Sequence, residues 1–143
     1  MLTKRFLLSW IVSSIVMFSL SYLWHGVFLN DFDRLSYPQT IFLIVTSFVY
    51  LVIGFVINKV HEIKLSDKFH RKPLLKGIVI GGVCGLVIYL ISIVVGVSFT
   101  GNLTIEHLLF DLNWQIIEQA MGGLSIALVH RHLIVEEDVF NID

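Results

Sequence analysis

Residues 74 to 98 read LLKGIVIGGVCGLVIYLISIVVGVS, an apolar stretch that decides the class of protein. An α-helix rises about 1.5 Å per residue, so a helix of this length crosses the roughly 30 Å hydrocarbon core of a bilayer. Backbone hydrogen bonds must be satisfied inside lipid, and this stretch does not alternate with a period of two, so it is predicted to be a helix. Three further apolar stretches, at 6–29, 40–57 and 108–129, predict an all-α, polytopic membrane protein: a single domain that is a bundle of four transmembrane helices.

Composition excludes the other broad classes. Of the 143 residues, 56% are hydrophobic and 15% are charged, which is unlike a soluble globular domain. Only two prolines are present, and Cys84 is the sole cysteine, so collagen-like and disulfide-rich proteins are excluded as well. The net charge of −1 gives no basic excess that would indicate a nucleic-acid partner.

The basic residues predict the orientation. Nine of the ten fall on one side: before the first stretch, between the second and third, at the start of the third (Lys76), or after the fourth. Only Arg34 falls on the other side. Because Lys and Arg near span ends stay in the cytoplasm, both termini and the basic loop 58–73 are predicted to be cytoplasmic, in a multi-pass protein of the inner membrane.

Two alternatives to four spans are open. The first stretch follows Lys4 and Arg5 and could act as a cleavable signal peptide, although its apolar run continues past Ser21 without a small-residue cleavage site. The fourth stretch carries several polar residues and could lie along the membrane surface instead of crossing it. Such interfacial helices usually have Lys or Arg on their polar face, and none occurs between Leu103 and His130, which favours a spanning helix.

Glycines recur every four residues in the third stretch, at Gly77, Gly81 and Gly85. They share one ridge of a helix, where the missing side chains let a second helix approach closely. The ridge predicts helix packing, either within the chain or between two copies in a homodimer, with self-association slightly favoured.

The fourth stretch carries the most informative polar residues. At 100° per residue, His107, Asp111, Trp114 and Glu118 share one face of the helix. A carboxylate in the bilayer costs at least ~2.5 kcal/mol, so such residues usually serve a pathway, a ligand or a pair. This face predicts a polar stripe inside the bundle, with Trp114 able to wall a pocket.

Depth along the helices divides the stripe into two candidate clusters. Asp111 lies about 10 Å and Glu118 about 21 Å from the outer end of the fourth helix at 1.5 Å per residue. The outer cluster combines His25, His107 and Asp111, which could hold a transition metal or handle protons, or whose histidines could be ordinary interfacial groups. The inner cluster pairs Glu118 with Ser14, as a proton or cation site or as a structural hydrogen bond.

Two further groups of polar residues lie near the basic loop. His130 and His132 flank Arg131 and are explained as cations favoured by the end of a helix. The loop itself suits a site for anionic lipid headgroups, although its charge could serve topology alone. The residues of that headgroup site are Lys64, Lys68, Arg71 and Lys72.

Three segments resemble small bacterial four-span families of unknown function: YLWHGVFLNDF at 22–32, LFDLNW at 109–114 and EQAMGG at 118–123. In those families the first span ends in a Trp beside His or Tyr, and the last has a Trp or an acidic residue before a Gly. The resemblance implies a compact four-helix inner-membrane protein and no particular activity.

Three functions are compatible with these features. The first is a non-enzymatic membrane protein that binds or conducts a small ligand, cation or proton through the polar stripe. The second is an accessory or scaffold subunit of a larger membrane complex. The third, less favoured, is a metal- or haem-dependent membrane enzyme, since the sequence carries no Walker loop, GxGxxG or hydrolase triad spacing and names no cofactor.

Overall fold

The computed structural model describes residues 3–34, 38–63, 72–99 and 104–140. Within these ranges every regular element is helical, which confirms the predicted all-α bundle. The four long helices are α1 (Lys4–Ser21), α2 (Gln39–Glu62), α3 (Pro73–Phe99) and α4 (Ile105–Phe140), and α1 continues into a π-helical segment, Tyr22–Phe28, and a 3-10 turn, Asp31–Arg34.

Local sequence explains where the helices begin. Thr3 caps α1, because its Oγ1 accepts a hydrogen bond of 3.2 Å from the backbone N–H of Phe6. Prolines stand at the starts of α2 and α3, Pro38 just before the first helical residue and Pro73 as the first, where no N–H is needed. Asn30, with a φ of 52°, lets the chain turn between the π-helical segment and the 3-10 turn.

The distribution of side chains is that of a membrane protein. Large apolar side chains face outward, such as Ile44, Phe48 and Val94, which are 65%, 67% and 70% exposed. In contrast, Asn58 and Gln119 are fully buried. Among the described residues, three helical segments are long and apolar enough to cross a membrane: Lys4–Phe28, Gln39–Glu62 and Pro73–Val94.

The fourth helix is long but more polar. At 36 residues α4 far exceeds the length needed for a span, yet its mean hydropathy is lower than that of the three apolar helical segments. Asp111, Asn113 and Glu118 lower its hydropathy. That α4 crosses the membrane, and that both termini are cytoplasmic, stay predictions.

The glycine ridge packs α3 against α4. A Cβ at Gly77 would lie 2.3 Å from the carbonyl oxygen of Gly123, one at Gly81 would lie 2.0 Å from that of Gln119, and one at Gly85 would lie 2.7 Å from that of Gln115. The predicted close approach is thus confirmed, and the partner is α4 of the same chain. The ridge therefore offers no surface to a second copy, and the homodimer loses the feature that favoured it.

Helix α4 also contacts α1 and α2, so three helices pack around it. Ser13 of α1 donates a 3.0 Å hydrogen bond to the carbonyl of Gly122, and Trp10 of α1 donates one of 2.7 Å to the carbonyl of Leu51 in α2. The buried apolar core is a small cluster drawn from all four helices: Met17, Tyr50, Ile57, Ile80 and Ile126.

Helix α2 continues beyond its predicted end at residue 57. It runs to Glu62, and Asn58 and His61, predicted to belong to the cytoplasmic loop, are buried between helices. Their polar atoms face α1 and α4, so this end of the bundle has a polar interior that the loop assignment missed.

Candidate functional site

Glu118 is the buried carboxyl at the centre of the bundle, with only 1% of its surface exposed. The Tyr50 hydroxyl donates a hydrogen bond to it, and the Gln119 side-chain amide donates another at 3.3 Å. The Trp114 indole N–H also lies near the carboxyl, although without a hydrogen bond of normal geometry. Since all three neighbours are donors, the surroundings suit a carboxylate.

A chain of hydroxyl groups leads away from this carboxyl. The Ser21 hydroxyl, at the end of α1, donates to the Tyr50 oxygen, and Tyr50 in turn donates to Glu118. Ser21 and Tyr50 are each only 7% exposed. The Ser21–Tyr50–Glu118 chain therefore links α1, α2 and α4 in the bundle interior.

A cavity of about 410 Å³ adjoins this chain. Its volume falls within the range of about 300–1,000 Å³ that is typical of small-ligand sites. Ser21 and Tyr50 both line it, so the chain connects the cavity to Glu118. The other polar lining residues come from all parts of the bundle and are His25, Thr46, Ser92 and Gln115.

The π-helical segment carries His25 to the wall of this cavity. Gly26 in the same segment lies against Phe32 of the 3-10 turn, since a Cβ there would lie 2.3 Å from the Phe32 ring. Phe32 also lines the cavity, and Trp24 stacks on Trp114 with ring centroids 4.2 Å apart. π-Helical turns often occur at functional sites, and this one places His25 in the cavity wall that Phe32 of the 3-10 turn also lines.

A second depression, of about 520 Å³, lies on the first turns of α4. Its described lining residues all belong to one helix and are all exposed, namely Glu106, Leu109, Phe110 and Asn113. It brings no buried polar group together, so the cavity beside Tyr50 is the better candidate.

Two residues of the predicted stripe meet in the structure and others do not. Trp114 lies near Glu118, as expected for a shared face. Asp111 is exposed, and its charge acts on Tyr89 of α3. Ser14 donates to the Trp10 carbonyl at 2.9 Å and lies against Gly54, so the structure gives Tyr50 the place beside Glu118 that was predicted for Ser14.

The predicted metal cluster does not form. In the described part of the chain no three His, Cys, Asp or Glu side chains lie close enough to hold a metal ion. His107 is exposed and pairs with Thr104 at the start of α4, whereas His25 faces the cavity. The first turns of α4 are exposed, which carries His107 and Asp111 away from the packed interior.

Of the predicted headgroup site, only Lys72 can be placed. Lys64, Lys68 and Arg71 lie outside the described residues, and Lys72 is exposed just before α3.

A second polar cluster was not predicted: it consists of the buried Ser9, Asn58 and His61 with the half-buried His130. The Asn58 amide donates to Ser9 Oγ at 2.9 Å, and Ser9 Oγ lies 3.1 Å from His130 Nε2. The rings of His61 and His130 meet edge to face with centroids 5.3 Å apart. His130 is therefore a packed residue within α4, which continues to Phe140, and not a cation at a helix end.

The sequence held a signal for this cluster. Serines recur every four residues along α1 at Ser9, Ser13 and Ser21, with Met17 in the remaining position, and all four are buried. Such a spacing predicts one polar face, but not which helix that face meets.

His130 predicts a pH dependence of stability. It lies one residue beyond the fourth apolar stretch. Burial lowers the pKa of its imidazole below the usual 6.5. The positive charges of Arg5 and Lys76 lower this pKa further, whereas the negative charge of Glu62 raises it. The unfolded chain thus binds a proton that the folded chain does not. Stability is expected to fall as the pH decreases through about 6.5 toward the lower pKa of the folded state.

Thermal unfolding in detergent at about pH 7.5 and about pH 5.5 measures this effect. His130→Gln is expected to reduce the loss of stability at the lower pH, and the exposed His132→Gln is expected to keep it. An equal loss in wild type and His130→Gln would contradict the assignment.

No protein-family model, curated protein or solved structure matches this chain. The resemblance to four-span bacterial families of unknown function therefore stays a prediction.

Proposed function

We propose that this chain is a non-enzymatic integral membrane protein that takes up a proton, or a small cation, at Glu118 from the cavity between its helices. The observation that carries the proposal is a carboxyl with 1% exposure joined by hydroxyl groups to a cavity that is partly lined by polar side chains. Carboxyl groups inside membrane helices are costly to insert and usually serve ion or proton pathways.

The proton is the ligand that the geometry supports best. A proton needs only the Ser21–Tyr50–Glu118 chain, because each hydroxyl can accept one proton and donate another. A metal cation would need several oxygen ligands. Beside the Glu118 carboxylate, one further candidate ligand is the buried Gln119 Oε1, which has no hydrogen-bond partner.

The other two predicted functions receive less support. An accessory subunit was expected to engage its partners through the glycine ridge on α3 and the basic loop; α4 occupies the ridge, and residues 64–71 of the loop lie outside the described residues. A metal-dependent enzyme was expected to use His25, His107 and Asp111, which do not come together. Both functions, and any partner protein, stay predictions.

Infrared spectroscopy of the protein in lipid vesicles tests the proposal. The C=O stretch of a protonated carboxyl in an apolar setting is expected to appear as the pH is lowered, and Glu118→Gln is expected to remove it. The matched control is Glu106→Gln on the same helix, because Glu106 is exposed and its loss should leave the band unchanged.

Three outcomes decide between the ligands. A band that titrates in wild type, persists in Glu106→Gln and is lost in a folded Glu118→Gln supports proton uptake. If raising the Na⁺ or K⁺ concentration at constant pH suppresses the band, a cation competes for the same carboxyl. A wild-type spectrum without a titrating band, or one retained in Glu118→Gln, would contradict the proposal.

A further inference from the structure

The polar cluster at the other end of the bundle contains two buried atoms without a partner. His61 is 7% exposed and Asn58 is fully buried, yet neither His61 Nε2 nor Asn58 Oδ1 has a hydrogen-bond partner. Unpaired polar atoms in a buried site are costly, so this cluster is arranged to receive something that the fold itself does not supply.

Both unpaired atoms are acceptors. The His61 ring bonds to the backbone of Pro73, which has no N–H, so the ring is the donor and the Pro73 carbonyl accepts. Since Nε2 is unpaired, the donor is Nδ1, and the neutral ring keeps a lone pair on Nε2. The Asn58 amide uses its NH₂ group on the Phe6 carbonyl and Ser9 Oγ, at 2.8 and 2.9 Å, which leaves Oδ1 free to accept.

A species that donates hydrogen bonds suits these two acceptors, and an anion does not. Water or a hydrated proton has the required donors. The charged groups around the two histidines are Arg5 of α1, Glu62 of α2 and Lys76 of α3, whose ammonium is held by the backbone carbonyls of His61 and Ile63. Because the two positive charges of Arg5 and Lys76 outnumber the single negative charge of Glu62, the cluster repels a bound metal ion and releases a bound proton readily.

One face of α1, a seam of buried residues, runs from this cluster to the Ser21–Tyr50–Glu118 chain. Along α1 the buried positions Ser9, Ser13, Met17 and Ser21 are spaced by four residues, and they extend about 18 Å at 1.5 Å per residue. Ser9 meets His130 of α4, Ser13 donates to the Gly122 carbonyl, and Ser21 bonds to Tyr50.

Met17 is the apolar interruption on the α1 side of this seam. It is fully buried, and a Cβ on Gly122 would lie 2.4 Å from its Sδ, so the glycine makes room for the thioether. A flexible, unbranched Met side chain can change rotamer more readily than a β-branched one.

We propose that His61 and His130, with Asn58, form a second proton-exchange site, in series with Glu118 and separated from it by the Met17 side chain. The proton passes from Glu118 along the hydroxyl groups of the seam to the Nε2 lone pair of His61 when Met17 moves aside. This inference rests on the proposed function of Glu118 and extends it from proton uptake to a path between the two ends of the bundle.

Proton flux into vesicles tests the path. The full chain is reconstituted with a pH-sensitive dye inside, and a potential is applied with K⁺ and valinomycin. Met17→Gln keeps the volume but adds hydrogen-bonding groups, and it is expected to raise the flux at least about tenfold over wild type. Met17→Leu, equally apolar, is expected to give no such increase.

Variants in the Met17→Gln background separate the two proposals. Adding His61→Gln and His130→Gln is expected to abolish the increase, and adding Glu118→Gln is expected to do the same. If the increase survives loss of the histidines but not loss of Glu118, the second site is overturned and the proposed function stands. If the increase in flux persists when only Glu118→Gln is added, the proposed function fails.

Nitrogen NMR of the histidine rings of the wild-type protein gives a measurement that does not depend on how the variants fold. His61 is expected in the Nδ1–H form, with a bare Nε2 that becomes protonated as the pH is lowered. A His61 ring in the Nε2–H form, or a folded Met17→Gln with the flux of Met17→Leu, would overturn the proposal.

Discussion

Gly81→Ala is expected to lower the free energy of unfolding by about 3 kcal/mol, near the upper end of the cost of overpacking a core. The added Cβ would lie 2.0 Å from the carbonyl oxygen of Gln119 and 2.8 Å from its carbonyl carbon. These are backbone atoms of α4, so no change of rotamer can relieve the collision, and the two helices must separate. Thermal unfolding in detergent should show a melting temperature lower by roughly 10 °C.

Gly82→Ala is the matched control one residue further along. A Cβ there would meet only the Ile116 side chain, at 3.7 Å, which is ordinary van der Waals contact. Because Ala has a higher helix propensity than Gly by up to about 1 kcal/mol, this variant is expected to be neutral or slightly more stable. Equal melting temperatures for the two variants would show that α3 and α4 do not pack through this ridge.

The sequence predicted the parts of the fold that depend on one helix at a time. Apolar length predicted the three helices that could cross a membrane, and the spacing of Gly77, Gly81 and Gly85 predicted a ridge for close packing. The partner of the ridge could not be predicted, because a small-residue face suits a neighbour in the same chain or in another copy equally well.

The candidate site was predicted only in part, since depth was counted separately along each helix. That arithmetic placed Glu118 level with Ser14, but Ser21, which lies about 10 Å further along α1, is the serine joined to Glu118 through Tyr50. Depths along two helices are comparable only when each helix leaves the membrane at a known residue. The exposed first turns of α4 and the π-helical end of α1 do not meet that condition.

Tyr50 could not be identified from the sequence for a related reason. It is an amphipathic residue in an otherwise apolar stretch, a pattern that more often reflects packing than function. Its role depends on Ser21 and Glu118, which come from other helices, so only the assembled bundle shows the chain of hydroxyl groups.

Tyr50→Phe is expected to slow proton exchange at Glu118 by at least about tenfold, because it removes the middle member of the chain between the cavity and the carboxyl. The Phe ring keeps the packing against Phe18, whose centroid lies 6.3 Å from that of Tyr50, so the bundle should remain folded. Time-resolved infrared spectroscopy after a pH jump measures the rate at which the protonated-carboxyl band appears.

Tyr22→Phe is the control, since Tyr22 is 40% exposed at the end of α1 and its ring contacts with Phe32 do not need the hydroxyl. It is expected to exchange at the wild-type rate. The final intensity of the protonated-carboxyl band is measured as well. If Tyr50→Phe reaches the wild-type intensity but only slowly, the Tyr50 hydroxyl belongs to the path and not to the proton-binding site. If Tyr50→Phe exchanges as fast as Tyr22→Phe, protons reach Glu118 by a route that does not pass through this cavity wall.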